Sequence, residues 1–160
     1  MEKMTVREIA GVLGASYGSD GEVLEISTDT RTIQPGSLFV ALVGERFDGH
    51  GFLAKAFEAG AVACVAQHPV ETGNPLWDQN ILVVADTQRA LLDIASYYRQ
   101  RFSFHCVGIT GSVGKTTTKD MTAAVLMSRY KTLKTLGNEN NEIEVGGQAV
   151  LGRQGRESTP

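Results

Sequence analysis

Residues 104 to 120, FHCVGITGSVGKTTTKD, restrict the fold more than any other stretch, because they read as a buried strand, a glycine loop and a helix start in immediate succession. Residues 104 to 109 are apolar or small and do not alternate, the pattern of a strand covered on both faces. Gly111 and Gly114 can take backbone angles closed to other residues, so that successive N–H groups point inward at one anion. Thr110, Gly111, Ser112, Val113 and Gly114, followed by Lys115, Thr116 and Thr117, are therefore the expected cradle for the phosphates of ATP. Lys115 adds a point charge for the terminal phosphates and the Thr116 hydroxyl is placed to ligate Mg²⁺, which makes these two the expected catalytic residues. A helix over 115–129 would aim its positive end at the same spot. The pattern departs from the strict phosphate-loop consensus at Ile109, where a glycine would stand. The plain alternative is an ordinary strand-to-helix turn. It would leave Lys115 at a helix N-terminus, where a cation is unfavourable by roughly a few tenths of a kcal/mol or more.

At 160 residues the chain is sized for one large domain, or for one domain plus part of another. A formal charge of -3 and the absence of a basic run argue against nucleic acid or a membrane surface as partner, so phosphate recognition has to be local. Cys64 and Cys106 both sit in apolar, strand-like runs without CxxC spacing, which predicts buried, reduced thiols. The run ILVVA at 81–85 is too short to span a bilayer and the N-terminus lacks a signal-peptide core; a soluble, cytoplasmic protein is expected.

Thr5 and Glu8 have the spacing of a capping box, predicting a helix to about Leu13 that Gly14 stops. EVLEIST at 22–28 alternates like a strand with one wet face, LFVALV at 38–43 reads as a buried strand, and Gln34-Pro35-Gly36 between them as a turn. GHGFLAKAFEAGA predicts a helix with Phe52, Ala56 and Phe57 on one stripe, ended by Gly60. Strand 61–66, a surface loop over 67–80, strand 81–85 and a helix capped by Asp86 follow, the last with Ala90, Leu91, Ile94, Ala95, Tyr98 and Phe102 at helical spacing. Alternating strand and helix predicts an α/β layered fold with parallel pairings. Residues 1–102 suffice for a small α/β domain. Residues 103–143 supply only a strand, the loop, its helix and a second strand near KTLKT, the start of a P-loop-type parallel-sheet domain that remains incomplete.

Downstream, Gly137 and the clustered Asn138, Asn140 and Asn141 form GNENN. Asn amides donate and accept at once, and beside a phosphate loop they could meet a pyrophosphate or the water around Mg²⁺. Asn also tolerates left-handed backbone angles, so GNxNN is equally the composition of a simple turn. TGSVGKTTTK followed by GNxNNEI resembles the Mur ligases, ATP-dependent amide-forming enzymes of peptidoglycan synthesis, and STDTRTIQPGSLFVALVGERFDGHGFLAKAFEAGA at 27–61 is similar to the family's first domain.

That resemblance implies UDP-N-acetylmuramoyl-tripeptide as the carboxylate substrate and D-alanyl-D-alanine as the incoming amine, joined through an acyl phosphate made with ATP and Mg²⁺. It places Ser27, Thr28, Asp29, Thr30 and Arg31 at the UDP end of the substrate, with Phe47, Asp48, Gly49 and His50 as a second contact loop and Asn138, Asn140 and Asn141 grouped with them. A structural role is open for some of these: Asp29 and Arg31 as a turn-holding ion pair, His50 as a helix cap. The resemblance runs from residue 5 to about 143. Residues 144–160, glycine-rich and polar, are expected to be a disordered tail outside the family pattern. The family's later parts are not recognisable, so an inactive fragment, or a nucleotide-binding module without catalysis, is expected of these 160 residues. A generic P-loop NTPase is the alternative, but it leaves STDTR and FDGH without a role. Oligomeric state is left open.

Overall fold

The first helix, α1 (Val6–Leu13), begins where the sequence says it should. Thr5 Oγ1 accepts from the Glu8 N–H at 3.1 Å and Glu8 Oε2 accepts from the Thr5 N–H at 2.8 Å, the reciprocal pair that satisfies two orphan donors. Gly14, in the left-handed region, ends it. The computed structural model describes residues 3–44, 47–103 and 105–134; the expectations placed on Phe104, on a strand near KTLKT, on Asn138, Asn140 and Asn141 and on the 144–160 tail lie wholly or partly outside them.

Four parallel strands form the sheet: β3 (Glu25–Ser27), β4 (Ser37–Val40), β7 (Ala61–Ala66) and β8 (Ile81–Val83), in the order β3-β4-β7-β8. Side chains alternate between its faces. Leu38, Val40, Ala63, Val65 and Leu82 meet α1 and α4 (Thr87–Gln100) on one side; Phe39, Ala41, Cys64, Ala66 and Ile81 meet α2 (Leu53–Glu58) on the other. A register shift between Ser37 and Leu38 puts Ala61 with the second set although Ala63 is in the first. The result is a three-layer α/β arrangement with its core on both sheet faces, as the alternation of elements predicts. Asp86 caps α4, its Oδ1 accepting from the N–H groups of Gln88 (2.8 Å) and Arg89 (3.1 Å).

Several expectations need correction. EVLEIST is two strands: β2 (Glu22–Val23) pairs antiparallel with β1 (Met4–Thr5), and after Leu24 the chain changes partner to run as β3 beside β4. The 67–80 segment holds a one-turn helix, α3 (Pro75–Asp78), started by Asn74 and carrying Trp77, which stacks on Phe57 at 5.5 Å between ring centroids. Phe52 is exposed instead of sharing the buried stripe of Ala56 and Phe57; Leu53 takes that place. Of the strand expected over 104–109, the described residues 105–109 form none, and Cys106 is exposed where a buried thiol is expected. The reason is pairing. An apolar run becomes a parallel strand only beside another strand, and no described strand lies next to 105–110. Cys64 is buried, and burial pushes its thiol well above the ordinary value.

Candidate functional site

Two places gather the candidate residues. The first lies beyond the C-terminal ends of β3 and β4, where open α/β sheets present their ligand crevices. An open pocket of about 410 Å³ is lined there by Thr28, Asp29, Thr30, Arg31, Phe39, Phe47, Phe52 and Lys55. Thr28 to Arg31 enter from the connection that follows β3. Its base is tied by Ser27, whose buried hydroxyl donates to the Asp29 carbonyl at 2.9 Å and lies 3.0 Å from Thr32 Oγ1. Asp29 then holds Arg31, with Oδ1 accepting the Arg31 N–H at 2.9 Å and both carboxylate oxygens 3.0 Å from Nε. The Arg31 guanidinium, followed by its backbone N–H, pulls the Asp29 carboxyl down to about 2.

The opposite wall comes from the hairpin of β5 (Val43–Gly44) and β6 (Phe47–Asp48) and from the 3-10 turn Gly49–Phe52 that follows. The rings of Phe47 and Phe52 stack at 5.4 Å, bringing together an exposed apolar surface above the fully buried Phe39. Asp48, Gly49 and His50 do not line the pocket; they hold its wall in place. Asp48 Oδ1 caps the turn through the His50 N–H at 2.9 Å, so the cap is Asp48 and not His50. A Cβ on Gly49 would stand 2.8 Å from Ala41 Cα, so the close approach of the two backbones needs a glycine there. His50 Nδ1 lies 2.6 Å from Asp48 Oδ1, and Nε2 accepts the Gln67 N–H at 2.8 Å, which fixes the proton on Nδ1 and bolts the wall to the end of β7. Hydrogen bonds from His50, backbone first, also lower the Asp48 carboxyl.

The second place is the glycine loop. Gly111 and Gly114 have φ of 151° and 79°, and α5 (Lys115–Met127) starts at Gly114 with no side-chain cap on its first amides. Lys115 Nζ donates to the Gly111 carbonyl at 2.6 Å, and residues Thr110 to Thr118 are exposed. The positive end of a thirteen-residue helix that starts at a glycine, with an ammonium group beside it, suits a polyphosphate in chemistry and charge. Thr116 is the second residue of the helix.

The Mur ligase family catalytic-domain model matches residues 22–99 and the Mur ligase middle-domain model matches residues 109–156. The chain belongs to the Mur ligase family. Among Mur ligases it is 43% identical over 147 residues to the UDP-N-acetylmuramoyl-tripeptide--D-alanyl-D-alanine ligase of Bacillus subtilis (strain 168), covering 89% of this chain and 32% of that one. To the enzyme of the same name from Escherichia coli (strain K12) it is 41% identical over 146 residues, 91% of this chain and 31% of that one. The fold matches MurF from Acinetobacter baumannii with a TM-score of 0.85 at 32% identity, over 94% of this chain and 33% of that chain. It also matches the MurF ligase from Thermotoga maritima in complex with ADP, with a TM-score of 0.71 at 32% identity, over 79% of this chain and 28% of that chain. The chain thus spans about a third of the length of these relatives.

Of the residues expected at the UDP end, the pocket brings together Thr28, Asp29, Thr30, Arg31 and Phe47, and leaves Ser27, Asp48, Gly49 and His50 behind them. Phe39, Phe52 and Lys55 line it without having been anticipated. Phe52 and Lys55 are three apart, a spacing that puts them on one side of a helical turn, and that signal was available in FDGHGFLAK.

Proposed function

We propose that this chain forms the part of a D-Ala-D-Ala-adding Mur ligase that seats UDP-N-acetylmuramoyl-tripeptide by its UDP end and grips the phosphates of ATP. The observation that carries it is the pocket at β3 and β4, built from the segments that resemble the family's substrate domain, in a chain that also holds the glycine loop. The relatives' names point the same way: the matched enzymes of B. subtilis and E. coli are UDP-N-acetylmuramoyl-tripeptide--D-alanyl-D-alanine ligases, and one structural neighbour holds ADP. In this reading 1–102 is the UDP-substrate domain and 103–143 the start of the ATP-binding domain, whose family likeness continues past 143 to residue 156. A cytoplasmic setting suits a nucleotide-activated substrate; no helix among the described residues is long and apolar enough to cross a membrane.

When bound, MgATP supplies the phosphoryl group that turns the tripeptide's terminal carboxylate into an acyl phosphate, from which the amine of D-Ala-D-Ala displaces phosphate. That carboxylate is already ionised at neutral pH, so the first step asks this chain for alignment and charge neutralisation and for no general base. The amides of Thr110 to Gly114 would bind and orient the polyphosphate, Lys115 would offset its negative charge and Thr116 would hold Mg²⁺. Asn138, Asn140 and Asn141, outside the described residues, belong to this reading by resemblance alone. The pocket at the other end anchors the UDP so that the carboxylate is delivered to the phosphates.

Calorimetric titration with ATP tests the loop. Lys115→Ala should weaken binding by about 1.5–3 kcal/mol, the worth of a hydrogen bond to a charged group. Equal affinity of the two proteins would remove the loop from the proposal.

A further inference from the structure

Three ionisable side chains stand among the described lining residues of the β3–β4 pocket: Asp29, Arg31 and Lys55. Two of them cancel. Arg31 Nη2 lies 2.5 Å from Asp29 Oδ2, and with Nε on both oxygens the pair forms a closed fork. The Lys55 ammonium makes no hydrogen bond or ion pair among the described residues, and the residue is exposed. Its field nonetheless reaches the pocket, since it is one of the charges that lower the Asp29 carboxyl. The remaining wall is the stacked Phe47 and Phe52 pair, inclined at 19°, above Phe39. A flat apolar surface beside one uncompensated cation offers a face to a base and a charge to a phosphate.

We propose that Lys55 is the residue of this pocket that recognises the diphosphate of a uridine nucleotide, and thereby sets its preference for the charged nucleotide over the bare nucleoside. This rests on the assignment of the pocket to the UDP end of the substrate. Lysine suits the task because its compact ammonium, on a flexible stem, can follow a phosphate without the planar geometry a guanidinium demands. Arg31 is less suited to it while Asp29 takes its Nε and Nη2 and offsets its charge.

The test is calorimetric titration of the 160-residue chain with uridine and with UDP, at low and at high salt. Lys55→Met keeps the stem and removes the charge. It should weaken UDP roughly tenfold or more, the scale of a charge-assisted contact, while uridine is unaffected. The salt dependence of UDP binding should flatten in the same variant, and Lys55→Arg should retain most of both. UDP bound equally by wild type and Lys55→Met would overturn the role of Lys55 and leave the pocket assignment standing. Failure of the wild-type chain to bind UDP at all would overturn the assignment, and this role with it.

Discussion

His50 is held from both sides by groups that want different things of it. Asp48 needs a donor, and receives one from Nδ1–H; the Gln67 N–H needs an acceptor, and finds it in Nε2. The ring is only 6% exposed; without it the well-exposed Asp48 carboxylate can turn to water, whereas the part-buried Gln67 N–H loses its acceptor. His50→Ala should therefore cost about 1–3 kcal/mol, the penalty for leaving a buried donor unsatisfied, before any cavity is counted. A urea-denaturation midpoint unchanged by the substitution would show that the Gln67 N–H has found another acceptor. The Asp29–Arg31 pair is of another kind. Both partners are well exposed and two residues apart, so its effect is to shape the turn between β3 and β4, with little weight in global stability.

At the level of elements, α4 shows how a local signal and a burial pattern reinforce each other. Its start is set by Asp86 and its packing by Ala90, Leu91, Ile94, Ala95 and Tyr98, all buried. Asp86→Ala leaves two first-turn amides without their acceptor and should lower stability by about 1 kcal/mol, within the usual 0.5–2 range for a lost cap. Denaturant unfolding would report it as a shifted midpoint with an unchanged slope. Elements of this sort were legible in the sequence: the capping box before α1, the Asp cap of α4 and the apolar run of β7 each sit within a few residues of what they determine. Those that depend on distant partners were not. The switch at Leu24 is decided by which strand lies alongside, with the Leu24 N–H donating to the Gly36 carbonyl at 2.9 Å. Asn74-Pro75 was a readable helix start, but what packs that single turn onto the fold is Trp77 against Phe57, twenty residues away. The pocket divides the same way: Thr28 to Arg31 stand together in sequence, whereas Phe39 and Lys55 join them only through the fold.

Across the whole molecule, packing is uneven. The sheet of β3, β4, β7 and β8 is covered on both faces, while α5 has Ala123 as its one buried residue and leaves Met121, Val125 and Met127 exposed. Tertiary burial supplies most of a helix's stability, and a thirteen-residue helix without it is marginal in water. Amide hydrogens of α5 should exchange far faster than those of β4 and β7 in a monomeric sample of this chain. Comparable protection would mean that something covers the exposed side of the helix. The strand expected over 104–109 does not form over the described residues 105–109 because no described strand lies beside it, and α5 is bare because little packs against it.

The link from β3 to β4 has a bearing on how such a protein can change. Unlike the path from β4 to β7, which carries α2, it is made of loop alone, and its foot is knotted by Ser27 and Thr32. Lengthening a loop twofold adds only about 0.6 kcal/mol of closure entropy. Insertions beyond Asp29 could accordingly remodel what the crevice admits while strand register and both hydrophobic layers stay untouched, making this short span the cheapest place in the molecule to evolve, or to engineer, a new selectivity.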